Sequence, residues 1–196
     1  KAKKLLDKID TSSERMASLI NGVLNYSRLS KAEIKFEPVN LEQILNHVKQ
    51  DVELLVNEKN ASIKSDKLPV ISGLQQQLQQ LFYNLINNAL KFCLENPIIT
   101  IKSKVLSPEE IKKYPELHSS VSYLELRFKD NGIGFDQKYA QQIFTIFKRL
   151  NSKDNFEGTG IGLALCKKIV DNHHGLIKAE SELGKGTVFI IILPVD

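Results

Sequence analysis

Asp130-Asn131-Gly132-Ile133-Gly134-Phe135 and, after a polar interval, Glu157-Gly158-Thr159-Gly160-Ile161-Gly162-Leu163 are the two runs that organise the chain. Each clusters glycines where a backbone must pass close to something a Cβ would strike. The second leads directly into an amphipathic pattern through Leu163, Leu165, Ile169 and Val170. The free N–H groups at the start of such a helix suit an anion. Two glycine clusters around a polar segment, 148–157, describe a phosphate-bearing ligand under a lid.

The same residues exclude other phosphate sites. No Gly-x-x-x-x-Gly-Lys-Ser/Thr run occurs, and the second cluster does not follow a strand of a βαβ unit, so neither a P-loop nor a dinucleotide fold fits. Asp130 closes an alternating strand through Leu124, Leu126 and Phe128, and its carboxylate can accept from an adenine amino group, which guanine lacks at that position. As a residue before Asn131-Gly132, it also reads as a turn aspartate.

Upstream, a helix is predicted from about Leu74 to Phe92, with Leu78, Leu81, Leu85, Ala89 and Phe92 toward the core. Asn84, Asn88 and Lys91 stand at i, i+4 and i+7 and share a neighbouring stripe. Asparagine is an indifferent helix former, so this stripe is either a solvated face or a local rule broken for function. Carboxamide oxygens suit Mg²⁺, and a lysine one turn away can meet phosphate as a point charge.

The remaining pattern surrounds this helix. Leu5, Ile9, Ser12, Met16, Leu19, Val23 and Tyr26 recur with heptad spacing, widened by Leu6, Ile20 and Leu24. The predicted helix would be roughly 45 Å long, and leaving its stripe in water would forfeit on the order of 10 kcal/mol. It therefore folds back on its own domain or joins a bundle or dimer. Pro38 ends this region, and Asn40 caps a helix with Leu41, Ile44, Leu45, Val48, Val52 and Leu55 on one face. Short extended stretches are expected at 61–64 and 69–72, and strands at 98–106, 121–129, 176–181 and 187–193.

Ser107-Pro108-Glu109-Glu110 starts a helix in a surface insertion without evident chemistry. Tyr139, Ile143, Phe144 and Phe147 mark a short amphipathic helix, and the last helix stops at Gly175 as its C′ residue. This order predicts an α+β fold, a two-layer α/β sandwich with a mixed, mostly antiparallel sheet, helices on one face, and one long coiled-coil-like helix in front.

Composition narrows the class. The formal net charge of +4 is spread through both halves, which gives nucleic-acid binding little support. Cys93 and Cys166 lie in apolar helical contexts without metal-ligand spacing and read as reduced core residues. No apolar run approaches membrane-spanning length. His173 and His174 precede Gly175 and are expected to offset a helix C-terminus, since no further ligand cluster supports a metal there.

Taken together, Asn84 through Phe92 resemble the N box of the catalytic and ATP-binding domain of sensor histidine kinases, in the superfamily shared with gyrase, the Hsp90 chaperones and the MutL proteins. Asp130 to Gly134 resemble its first glycine box, Phe144 through Phe147-Lys148-Arg149 its F box, Gly158 to Leu163 its second glycine box, and Gly184-Lys185-Gly186-Thr187-Val188-Phe189 its final hairpin. The likeness implies a Bergerat-type fold that binds ATP and Mg²⁺. Asn88 would then hold the Mg²⁺, Asn84 and Lys91 face the phosphates as catalytic residues, and Asp130 read adenine with support from Thr187. Phe92, Gly132, Ile133, Gly134 and Phe147 complete the nucleotide site with Gly158, Thr159, Gly160, Ile161, Gly162 and Leu163. Arg149 and Lys153 would be lid contacts to the γ-phosphate.

Residues 1–33 resemble the second helix of the dimerisation and phosphotransfer domain, and residues 34–196 the catalytic domain. The resemblance further implies a cytoplasmic homodimer, a response-regulator receiver domain as partner, and a membrane only through segments outside this sequence. None of the four histidines matches the family's phosphoacceptor, so the acceptor is expected elsewhere. A degenerate module that senses nucleotide without transferring phosphate is the alternative. A hydrolytic clamp is disfavoured because Asn84 stands where those relatives resemble a glutamate base.

Overall fold

The computed structural model describes residues 35–150 and 158–195, together with positions 13, 16, 17, 19–24, 26 and 27. Lys153, Glu157 and the seam residues before 13 lie outside the described residues.

The fold starts with β1 (Glu37–Asn40), whose last residue caps α1 (Leu41–Asp51) by accepting from the backbone N–H groups of Glu42 at 3.0 Å and Gln43 at 3.3 Å. This satisfies donors that a helix start leaves without partners. The predicted helix through Leu55 breaks at Val52, which leaves the helical region at φ −105° and ψ 8°. Val52 keeps its side chain in the core, while α2 (Glu53–Glu58) buries none of its residues and follows the surface.

β2 (Ser62–Ser65) runs parallel to β4 (Ile98–Val105), and β3 (Val70–Gly73) pairs antiparallel with β1, aligning Val39 with Ile71. Between β3 and β4 lies α3 (Gln75–Lys91), which buries Leu78, Leu81, Phe82, Leu85, Ile86, Ala89 and Leu90. Lys59 Nζ donates to the carbonyls of Leu90 at 2.8 Å and Cys93 at 3.3 Å, meeting acceptors that the helix end leaves open. Each large side chain on this face contributes about 1.5–3 kcal/mol by leaving water.

The main sheet has the order β2-β4-β5-β7-β6, with β5 (Ser122–Lys129), β6 (Leu176–Glu182) and β7 (Gly186–Val195) antiparallel to their neighbours. Alternation on β5 sends Leu124, Leu126 and Phe128 toward the helices, where Phe128 meets Phe82 edge to face at 5.0 Å. The last helix, α5 (Gly162–Asn172), packs beside α3 through Leu165, Cys166, Ile169 and Val170.

Three local expectations change. The insertion does more than lie on the surface: after the Ser107 capping box and α4 (Pro108–Ile111), Ile111 joins Leu106, Tyr123, Ile190 and Ile192 in a second small core on the sheet face opposite the main helices. The apolar residues around 139–147 form two short 3₁₀ turns, Gln137–Tyr139 and Gln142–Phe144, in place of an amphipathic helix. At the end of α5 the left-handed residue is His174, at φ +56°. Gly175 is small for another reason, since a Cβ there would strike the Ile192 carbonyl and stand 2.9 Å from Leu193 Cδ2.

The N-terminal segment is helical at every described position from 13 to 27. Its predicted seam divides between two sides. Tyr26 packs on the main core, and a Cβ at Gly22 would stand 2.7 Å from Ile161 Cδ1. Met16, Ile20, Val23 and Leu24 face outward.

Candidate functional site

The fold brings the C-terminal half of α3 against the two glycine runs around a cavity of about 280 Å³. Asn84, Asn88, Lys91 and Phe92 line it from α3 and its cap, and Asp130, Ile133, Gly134 and Thr187 from the sheet side. Arg149, Gly158, Thr159, Gly160, Gly162 and Leu163 close the third side. Gly132, Phe147 and Ile161 are not wall residues. Gly132 orients Asp130, Phe147 is 55% exposed, and Ile161 is buried beside Gly22. Beyond the residues expected from the motifs, the polar Asn87 lines the cavity, and Ala89, Phe135, Ile143, Leu150 and Phe189 supply an apolar part of the wall with no chemical signature in the sequence.

Asp130 is 8% exposed, and Oδ1 accepts both the Gly132 N–H at 2.8 Å and the Thr187 N–H at 3.1 Å. Oδ2 accepts nothing from the described residues. Burial raises the carboxyl pKa above its ordinary value, and the two backbone donors oppose that shift. The result is a rigid carboxylate with one oxygen fixed by the scaffold and the other left for a ligand. Gly186 makes the arrangement possible: at φ +92° its Cα lies so close that a Cβ would strike the Asp130 carbonyl.

Thr187 makes two separate hydrogen bonds at this corner. Its backbone nitrogen holds Asp130, while its hydroxyl pairs with Ser181 Oγ at 3.0 Å. Ser181 Oγ also accepts from Phe135 N at 2.9 Å and lies 2.9 Å from the Gly186 carbonyl, to which it donates. The first glycine loop is thereby tied to the hairpin. Gln137 adds a second tie, donating to the Ala179 carbonyl at 3.1 Å and accepting from Ser181 N at 2.8 Å. Asn131 anchors the loop on its other side, with Oδ1 accepting from Ile98 N at 2.7 Å. No spacing rule points to Ser181, Gln137 or Asn131 for these roles.

Across the cavity, Asn84 Nδ2 donates to the Gly162 carbonyl at 3.4 Å, and its Oδ1 accepts from Gln80 Nε2 at 3.1 Å. A carbonyl only accepts, so this contact fixes which way the amide points. The Asn88 amide has no hydrogen bond to the described residues. Lys91 Nζ lies 4.6 Å from the centre of the Phe92 ring, and a Cβ at Gly158 would approach that ammonium to 2.5 Å.

Arg149 Nη1 donates to the Gly158 carbonyl at 3.0 Å, and Phe147 N donates to the Gly160 carbonyl at 3.0 Å. Phe147 has φ +64°, a conformation that costs energy for a residue with a Cβ and gathers at functional sites. At the start of α5, Ile161 occupies the cap position without a side-chain hydrogen bond to the first turn. The backbone donors there suit an anion. No group of three or more His, Cys, Asp or Glu residues able to hold a metal occurs among the described residues. Asn84 and Asn88 offer only amide oxygens, which fits a cation held mainly by phosphates and water.

Residues 73–196 match the family described as histidine kinase-, DNA gyrase B-, and HSP90-like ATPase. Cyanobacterial phytochrome A from Nostoc sp. is 37% identical over 184 residues, covering 92% of this chain and 22% of the relative. The phytochrome-like protein Cph1 from Synechocystis sp. is 31% identical over 194 residues, covering 99% of this chain and 24% of its own length. This chain therefore spans about a quarter of those relatives. Among solved structures, full-length ShkA in complex with AMPPNP superimposes with a TM-score of 0.74 at 24% identity, over 98% of this chain and 38% of that one. Histidine kinase ThkA in complex with the response regulator protein TrrA gives 0.71 at 21% identity, over 100% and 52%. These two likenesses show the fold.

Proposed function

Because the chain belongs to the family of histidine kinase-, DNA gyrase B- and HSP90-like ATPases, we propose that it is the ATP-binding catalytic region of a two-component sensor histidine kinase. It delivers the γ-phosphoryl group of ATP to a histidine on a dimerisation helix outside this sequence. The observation that carries the reading is the buried Asp130 carboxylate in the wall of the cavity, with Oδ1 held by two backbone donors and Oδ2 accepting nothing from the described residues, opposite an amide-and-lysine stripe and a glycine-flanked helix start.

In this reading Oδ2 takes a hydrogen bond from the adenine amino group. Ile133, Leu163 and Phe189 pack against the base, and the phosphates run toward Lys91 and the first turn of α5. Magnesium, when bound, would neutralise charge on the phosphates, with Asn88 as its protein ligand. Lys91 and the backbone N–H groups stabilise the charge that develops on the transferring group. Arg149 stands at the cover of the site.

Asn84 is an amide already committed to Gly162 and Gln80, so it takes no proton from water. Transfer to an imidazole supplied from outside is therefore favoured over steady hydrolysis. Residues 1–33 are assigned to the dimerisation element and 34–196 to the catalytic domain. The parent protein is taken to be a cytoplasmic or membrane-tethered homodimer that passes phosphate to a receiver domain. Among the described residues no helix is long and apolar enough to cross a membrane.

The test uses γ-labelled ATP, Mg²⁺, this chain, and a helical-hairpin partner bearing an acceptor histidine. Acid-labile, alkali-stable phosphate on the partner and none on this chain is the expected result. Label on this chain alone, or release of free phosphate as the main product, contradicts the proposal.

A further inference from the structure

α3 has no side-chain cap of its own. Leu74 occupies its cap position and offers no side-chain acceptor to the first turn. The backbone N–H of Leu74 instead donates to Nε2 of His173 at 3.0 Å, a partner 99 residues away at the end of α5. The other ring nitrogen, Nδ1, lies 2.7 Å from the Ile169 carbonyl. A carbonyl only accepts, so Nδ1 carries the proton; an amide N–H only donates, so Nε2 is bare. The ring is 2% exposed and neutral. Burial lowers its pKa, the Ile169 carbonyl opposes that shift, and His174 adds to it.

This contact belongs to a series of polar rungs between the antiparallel helices α3 and α5. Asn172 Nδ2 donates to Gln77 Oε1 at 3.1 Å beside it, and Asn84 Nδ2 donates to the Gly162 carbonyl at the cavity end. The two helices carry opposite walls of the site: Asn84, Asn88 and Lys91 on one, and the glycine-flanked start on the other. A helix passes on a displacement of its end more than it absorbs one. The latch at Leu74 therefore bears on the spacing between the walls.

Resting on the nucleotide reading above, we infer that His173 is a positioning residue: neutral and protonated on Nδ1, it locks α3 to α5 and so sets the width of the nucleotide site. A proton on Nε2 places donor against donor at Leu74 N–H and brings positive charge to the start of α3, where the helix dipole disfavours it. His174 is the titratable neighbour on its own element. Among the described residues, the other groups placed at the ring, Gly73 and Leu74 at the junction of β3 and α3 and Phe36 from the segment before β1, carry no charge. The latch opens when acid protonates the ring, below the ordinary histidine range, and affinity for nucleotide falls with it.

The test measures Mg-ADP affinity of the full chain between pH 5.5 and 8, together with the ¹⁵N shifts of the His173 ring. Wild type is expected to show a protonated Nδ1 at pH 7.5 and an ADP Kd that rises about threefold to tenfold beyond that of His173→Gln as the ring shifts report a proton on Nε2. His173→Gln, which keeps an acceptor within reach of Leu74, is expected to bind within about twofold of wild type at pH 7.5 with a shallower profile, whose remaining slope belongs to Asp130 and the ADP phosphate. His173→Leu, which keeps none, is expected to bind about fivefold more weakly at pH 7.5, with the same shallower profile as His173→Gln. A ring protonated on Nε2 at pH 7.5, or identical pH profiles for wild type and His173→Gln, overturns the latch. No ADP binding by wild type at any pH overturns the nucleotide reading instead, while the ring shifts still decide the state of His173.

Discussion

Replacing Asp130 with Asn separates the scaffolding role of this residue from its recognition role. An asparagine keeps one carbonyl oxygen, which can accept from Gly132 and Thr187 as Oδ1 does now. The second atom becomes an NH₂ group, a donor facing the adenine amino donor. The variant loses a hydrogen bond to a charged acceptor and gains a mismatch, together about 2–3 kcal/mol, or roughly 30- to 150-fold in Kd for Mg-ATP. The free protein should not suffer. Because burial raises the folded-state pKa of Asp130, any stability its protonation supplies is present at low pH and lost as pH rises through that value.

At neutral pH the unliganded wild type therefore holds a desolvated charge that the amide removes. Its Tm should stay level or rise in the variant. Titration calorimetry with Mg-ATP and Mg-GTP, beside thermal melts, checks both halves. The preference for ATP over GTP should also narrow, since an NH₂ group can donate to the guanine O6. Unchanged ATP affinity in a folded variant refutes the reasoning, as does a loss of affinity matched by a loss of fold.

Other outcomes follow from particular contacts. Lys91→Ala should weaken Mg-ATP roughly 10- to 100-fold while leaving adenosine within about threefold, measured by competition binding, because in the proposed pose the ammonium faces phosphate and not base. Gly186→Ala should lower stability by about 1–3 kcal/mol in urea titration, since φ +92° and the Asp130 carbonyl leave no room for a Cβ. Cys166, fully buried with its thiol pushed up to about 12 by desolvation, and buried Cys93 should both resist Ellman's reagent in the native chain and react in denaturant. Melts of the apo chain should show stability falling as pH drops below about 6.5, because burial lowers the folded-state pKa of His173. That slope should be shallower in His173→Gln.

The groups that touch the cavity were largely legible because each breaks a local rule. Asn84 and Asn88 interrupt a helix, glycines cluster where turns alone do not need them, and Asp130 ends an apolar strand. What escaped depends on tertiary partners. Ser181 is an ordinary strand serine until folding puts its hydroxyl between Phe135 and Thr187. His173 looked like a helix-end residue because its partner, Leu74 N–H, is a backbone group without a sequence signature.

The helical periodicity of Tyr139, Ile143 and Phe144 rests on too few residues to tell an α-helix from 3₁₀ turns. The apolar outer face of β7 gave an unbroken run, Val188 to Leu193, and the second core that it builds with Ile111 could not be inferred from that run alone.

The most direct test of the site is amide chemical-shift mapping of the ¹⁵N-labelled chain titrated with Mg-ADP. Saturable shifts should concentrate at Gly132, Gly134, Gly158 to Leu163, Thr187 and the 84–91 end of α3, leaving Ile111, Tyr123 and Ile190 unmoved. Shifts centred on that opposite face, or none at millimolar nucleotide, would contradict the placement of the nucleotide between α3 and the glycine-flanked segment.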